Sequence, residues 1–302
     1  MSVQRDPVQR DPVQHDSVQH GSVQRGSVQH EVRDGVLVVR IDRENRRNAL
    51  DQESTLRLVR LLEDAALDES LRAVHLTAAG RDFCSGSDWV SANSGSAANS
   101  ANSANSGDSG DRERPRPASL VRRLPLQSHR LIELLLTIHL PVVATVRGFA
   151  AGLGCQLALA ADFTVADEDA TFWEPFVHRG FTPDTGATWL LPRLVGLARA
   201  RRMLLLGEKV SGAQAAEWGL IHEAVPAPDL DDRSNELVAS LAKGPTVALG
   251  LTKQSLLRAA EAPLTRAMSD ESYALELAAR TADFKEGLAA FKARRDSDFT
   301  GR

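Results

Sequence analysis

The chain has 302 residues, a quarter of them charged, and a formal net charge of -4. That length admits one large domain or two small ones, and the mild acidity argues against a nucleic-acid surface. Two cysteines, Cys84 and Cys155, without CxxC spacing argue against a disulfide framework or a structural zinc site. The histidines are scattered with no paired-ligand spacing, so no metal is expected.

Residues 1–31 are a pentapeptide repeat, "VQRDP VQRDP VQHDS VQHGS VQRGS VQHE". With Val the one clearly apolar residue per unit, no face buries enough surface to offset ordering. A disordered tail is expected. Residues 35–42, "GVLVVRID", read as a strand, and "LDQESTLRLVRLLEDAALD" repeats Leu56, Val59, Leu62 and Ala66 at helical spacing. Residues 71–78 form a second strand. Residues 91–119, "SANSGSAANSANSANSGDSGDRERPRPAS", are a flexible insertion by composition, and a loop this long suits a lid or a disordered insert. A third strand lies in "LPVVATVRG", and "LGCQLALAADF" is a buried helix. Helical patterning dominates from Asp184 to the end. The expected organisation is an α/β core over 32–225 and a helical region over 226–302.

The longest uncharged apolar stretch, "GFAAGLGCQLALAA", falls short of the roughly 20 residues that span a bilayer. The N-terminus has no apolar core of the signal-peptide kind. A cytoplasmic protein without a membrane partner is expected.

Chemistry concentrates at two turns and one carboxylate. "FCSGSDW" (83–89) and "GFAAGLGCQ" (148–156) each follow a strand, and their small residues permit close backbone approach. The second feeds a helix N-terminus, whose N–H groups and dipole favour negative charge. Two such N–H groups from separate turns suit a developing oxyanion. Asp184, between Pro183 and Thr185-Gly186 ahead of "ATWLL", reads either as a helix N-cap or as an acid–base group.

The segments "RRNALD", "FCSGSDW", "VRGFAAGLGCQLALAADFTVA", "FTPDTGATWLLPRLVG", "AAEWGLIHEAV" and "TADFKEGLAAF", in that order over 32–302, resemble the crotonase (enoyl-CoA hydratase/isomerase) superfamily. The resemblance implies a spiral of ββα repeats, a C-terminal helical region used for a homotrimer or a dimer of trimers, and acyl-CoA thioester substrates. Coenzyme A is then part of the substrate, and no separate cofactor is needed. It places oxyanion donors at the N–H groups of Ser87 and Leu153, and substrate or CoA contacts at Arg47, Ala49, Asp88, Trp89 and Phe176. The two glutamates of water-adding members fall at Gln156 and Phe176, neither of which is a general base. Glu174, two residues from Phe176, reads as a buried or rim salt-bridge residue before it reads as a catalyst. A second branch, similar to 1,2-epoxyphenylacetyl-CoA isomerase, carries its catalytic Asp where Asp184 stands, and the resemblance favours that role over capping. His178 and Arg179 read as packing or surface residues, Lys292 as a solvated charge. Phe172, Phe176, Phe181 and Trp89 hint at an aromatic acyl group. The expected activity is an acyl-CoA isomerase, with a hydratase or a non-catalytic acyl-CoA binder as alternatives.

Overall fold

A computed structural model describes residues 27–88 and 119–302. Strands β1 (Val28–Arg33) and β2 (Val36–Ile41) form an antiparallel hairpin around Asp34 and Gly35, a turn pair suited to a two-residue connection. Helix α1 (Gln52–Ala65) is capped by Asp51, whose carboxylate accepts from the Ser54 N–H. Strand β3 (Ala73–Ala78) follows. After a short helix α2 (Ser119–Arg123) and helix α3 (Ser128–Thr137) come β4 (Val142–Val146), β5 (Phe149–Ala151), helix α4 (Leu153–Leu159), β6 (Phe163–Asp167) and β7 (Thr171–Trp173). Helix α5 (Ala187–Leu205) is kinked at Gly196. Strand β8 (Lys209–Ser211), helix α6 (Gly212–Trp218) and strand β9 (Glu223–Val225) complete the core.

The larger sheet has the order β1-β2-β3-β4-β6-β9 and is parallel apart from the first hairpin. Parallel strands are covered on both faces and so lose polar alternation. Every residue of β4, "VVATV", is accordingly buried. One face carries the main core with α1, α3 and α4, where Leu58, Leu62, Leu131, Leu135 and Leu157 meet Val39, Val74 and Leu76. The other face receives helix α7 (Leu230–Ala242), whose Val238 packs on Val36, Ala73 and Val143. A smaller sheet, β5-β7-β8, stands beside it. Helices α8 (Thr246–Ala259), α9 (Leu264–Ala278) and α10 (Ala282–Ala293) end the chain.

The mixed α/β architecture and the helical C-terminal region agree with the sequence. One boundary does not. The sheet begins at Val28, inside the segment read as a tail, because "VQHEVR" places Val28 and His30 inward opposite β2. Residues 1–26 of the repeat, Trp89 and nearly all of the 91–119 insertion lie outside the described residues. Among the described residues, no helix is long and apolar enough to cross a membrane.

Candidate active site

The small sheet and the loop around residues 83–88 are laced together by main-chain bonds. The Cys84 N–H donates to Phe149 O, and the Ala151 N–H donates back to Cys84 O. On its other side the loop forms a parallel bridge to Leu50: the Leu50 N–H donates to Gly86 O and the Asp88 N–H to Leu50 O. That bridge uses the groups flanking Ser87 and leaves the N–H of Ser87 itself directed the other way. Leu153 is the first residue of α4, so its N–H belongs to the turn that has no intrahelical acceptor. The residue before each donor is a glycine in a conformation that side chains avoid, Gly86 at φ 104° and Gly152 at φ 52°, ψ −120°. Glycine there lets the two turns approach closely, and Ser87 and Leu153 line one space.

That space is a cavity of about 10 Å³ lined by Ser85, Gly86, Ser87, Gly152, Leu153, Pro175, Phe176, Arg179, Phe181 and Asp184. It lies at the junction of two larger clefts. One, of about 330 Å³, shares Ser87 and Leu153 and runs past Leu50, Asp51 and Asp88. The other, of about 620 Å³, shares Asp184 and is lined by Ile132, Leu136, Trp189, Leu190 and Leu257. Phe176 and Phe181 close the junction edge to face, with ring centroids 5.6 Å apart.

Asp184 does not cap α5. The N-cap of that helix is Gly186, and no side chain bonds its first N–H groups. Instead the half-buried Asp184 faces the junction and the larger cleft. Burial raises its pKa from the usual carboxylate range, and nearby His129 opposes the rise. His129, on α3, also reaches the Asp184 carbonyl oxygen, with Nε2 at 2.5 Å. A carbonyl only accepts, so Nε2 carries the proton.

Of the residues read from sequence, Ser87, Leu153, Phe176 and Asp184 are thus brought around one point. Arg47 and Ala49 belong to the neighbouring turn, which is tied to the loop by the Ser85 N–H donating to Arg47 O. The Arg47 guanidinium lies over the Phe149 ring and bonds Asp82, away from the junction. Asp88 borders the smaller cleft, but its buried carboxylate is held by Arg43 at 3.3 Å. Arg43 also pairs with Asp51 at 2.9 Å and bonds the Ala49 carbonyl. Phe172 is fully buried in the core and does not line the junction or either cleft. His178 packs on Trp173 and Gly207, while Arg179 does line the junction. Lys292 is exposed near the end of α10.

Glu174 departs from its expected salt bridge. Beyond β7 the chain leaves the strand, and Phe176 already has helical angles, so the two-residue offset does not keep the two side chains on one face. Phe176 turns to the cavity, and Glu174 turns inward with no exposed surface. Its Oε1 accepts from Gln156 Nε2, and the Cys155 thiol also bonds it. No Lys or Arg among the described residues pairs with it. Burial pushes its pKa up to about 8, Cys155 and Gln156 oppose the rise, and the charge of Asp184 adds to it.

Two residues escaped the sequence reading. His129 lies 55 positions before Asp184, and Arg43 lies 45 before Asp88. Neither has a local pattern that marks it.

The sequence profile of the enoyl-CoA hydratase/isomerase family matches residues 31–113 and 121–302. The chain is 36% identical over 271 residues to 1,2-epoxyphenylacetyl-CoA isomerase of Escherichia coli (strain K12), covering 90% of this chain and 97% of that protein. It is 32% identical over 267 residues to 2,3-dehydroadipyl-CoA hydratase of the same organism, covering 88% and 96%. An enoyl-CoA hydratase structure from Bacillus anthracis superposes with a TM-score of 0.81 at 26% identity, over 92% of this chain and all of that one.

Proposed function

The chain belongs to the enoyl-CoA hydratase/isomerase family, and from that membership we propose that it is an acyl-CoA isomerase that moves a double bond within a CoA thioester. The observation that carries this reading is the single cavity shared by the Asp184 side chain and the Ser87–Leu153 donor pair. In the proposed reaction the thioester oxygen sits between those two N–H groups. As the α-carbon or γ-carbon loses a proton, negative charge gathers on that oxygen, and preorganised donors contribute about 3–4 kcal/mol each. Asp184 takes the proton and returns it at the other end of the dienolate. The proton removed equals the proton restored, and the electron pairs only shift within the acyl group. Redox balance is therefore closed without a second substrate.

The raised pKa of Asp184 supports this role, because a base and its conjugate acid exchange a proton fastest when the pKa approaches working pH. Phe176 and Phe181 keep the reacting carbons against apolar surface and away from water. The positions that supply glutamates in water-adding relatives hold Gln156 and Phe176, which favours isomerisation over hydration. The similarity to the isomerase of Escherichia coli points the same way. A homotrimer, supported by the exposed apolar residues of α8 and α9, is part of the same proposal.

The test is deuterium uptake from heavy water into 3-enoyl-CoA and phenylacetyl-type CoA thioesters by wild type and Asp184→Asn. Uptake at C2 or C4 that vanishes in the variant is the expected result. Uptake that survives removes Asp184 from the chemistry. Stable incorporation of water at C3 converts the assignment to a hydratase.

A further inference from the structure

The Glu174–Gln156–Cys155 group stands directly behind the proposed reaction centre, and no step above uses it. Glu174 and Gln156 have no exposed surface, and Glu174 lacks a cationic partner among the described residues. The second carboxyl oxygen of Glu174, Oε2, and the amide oxygen of Gln156, Oε1, have no hydrogen-bond partner there. An ionised carboxylate so placed would be an unpaired buried charge with one oxygen bare, which costs far more than a neutral acid.

We propose that Glu174 is a positioning residue that works as an uncharged carboxylic acid: bonded to Gln156 in the first turns of α4, it keeps the wall behind Leu153 and Asp184 neutral, and loss of its proton stops catalysis from behind the site.

The inference rests on the oxyanion role given above to Leu153. Cys155 and Gln156 are the third and fourth residues of the helix whose first N–H is that donor. A negative charge among them sits at the positive end of the same helix and competes with the thioester oxygen for its field. The same charge also opposes ionisation of Asp184, whose carboxylate already interacts with Glu174. A neutral Glu174 leaves both the helix end and Asp184 free for the substrate. The groups around it are few: the Cys155 thiol and Gln156 amide on α4, and Asp184 with its neighbours His129 and Arg179 on the opposite side. The Cys155 thiol is itself pushed well up by burial and by Glu174, so it stays protonated alongside. The elevated pKa of Glu174, about 8, agrees with the geometry and sets the pH at which the effect is read.

Two measurements separate this proposal from the isomerase assignment. In substrate-free protein, infrared difference spectra across pH 6.5 to 9.5 read the carbonyl band of a protonated carboxyl. The expected band is present at the acid end, titrates near pH 8 and is missing in Glu174→Gln. A spectrum without it at pH 6.5 overturns the proposal, whatever the enzyme turns over. The second is the pH profile of kcat for the thioester that exchanges deuterium most readily. Wild type is expected to lose activity above pH 8, approaching tenfold per unit at the limb's end. Glu174→Gln, which keeps shape and neutrality, is expected to lack that limb and to stay within about threefold of wild type at pH 6.5, in line with the near-neutral replacement of a neutral partner. Persistence of the limb in Glu174→Gln sinks the proposal. Loss of activity at every pH in a folded Glu174→Gln also sinks it, because Glu174 would then be the group that moves the proton.

Discussion

A Cβ on Gly86 would stand 2.8 Å from the Ala151 carbonyl oxygen and 3.7 Å from Leu153 N. The two donor-bearing turns therefore approach as closely as bare backbone allows, and the obstacle to any larger residue is main chain that cannot swing aside. Gly86→Ala is expected to push the turns apart and misalign the Ser87 and Leu153 N–H groups. Losing one such donor typically lowers kcat by about 10²–10³-fold. The check is kcat and KM for the exchanging thioester, with kcat taking most of the loss. Wild-type kcat in Gly86→Ala would remove the donor pair from the mechanism.

Glu174 also gives a stability signature that needs no substrate. Its pKa is raised in the fold, from 4.5 to about 8, so the folded protein holds a proton that the unfolded chain releases. Folding stability is then highest below pH 4.5 as far as this group is concerned, and falls as pH rises toward 8. Above about pH 8 the loss is complete. Glu174→Gln abolishes that contribution, so the stability difference between variant and wild type should grow in the variant's favour between pH 5 and 8. Thermal or urea unfolding of both proteins at pH 5, 6.5 and 8 measures it. Parallel curves would mean that Glu174 titrates alike in folded and unfolded chains.

The parts of the site that were legible in sequence are those fixed by local backbone. Gly86 and Gly152 announce turns because only glycine tolerates their angles, and Leu153 follows as the first N–H of a helix whose start Gly152 marks. Asp184 was legible as a position but ambiguous as a role. The capping reading ends with the helix start, which lies at Ala187 with Gly186 as its cap. Glu174 was legible as a buried residue, but its partners, Gln156 and Cys155 rather than a cation, come from the helix after β5 and carry no local signal. His129 and Arg43 were invisible because the contacts that tie them to the site, Asp184 and Asp88, come from distant segments. No periodicity joins positions that only tertiary folding brings together.

Arg43 is the clearest such case. One guanidinium holds Asp88 and Asp51 and bonds the Ala49 carbonyl, so it clamps the 43–50 turn to the loop that presents Ser87. Asp88 is buried, and removing Arg43 takes away an ion-pair partner 3.3 Å from its carboxylate. Breaking such pairs costs about 3–5 kcal/mol. Arg43→Met, which keeps much of the side-chain volume, is expected to lose stability on that scale. Asp88→Asn in the same background should recover part of it by removing a buried charge that Arg43 no longer offsets. Urea unfolding of the single and double variants gives the comparison, and additive losses would show that the two side chains do not depend on each other.

The last prediction concerns assembly. Helices α8 and α9 expose Leu256, Leu264, Met268, Tyr273, Leu275 and Leu277. Leu256 and Leu275 border a groove of about 410 Å³ between these helices, with Leu251 and Ala278 in its lining. Monomeric proteins rarely display a contiguous apolar surface of this kind. In closed point-group assemblies each copy covers the same surface on its neighbours. Sedimentation of the wild type at micromolar concentration is expected to give three copies or a multiple of three. Leu256→Glu with Leu275→Glu places two charges in the groove and should shift the distribution to a smaller species. The fold of each chain should survive, since neither side chain is buried in the core. A wild type that sediments as one copy would assign the apolar surface another occupant and would leave the α8–α9 face without a role in self-association.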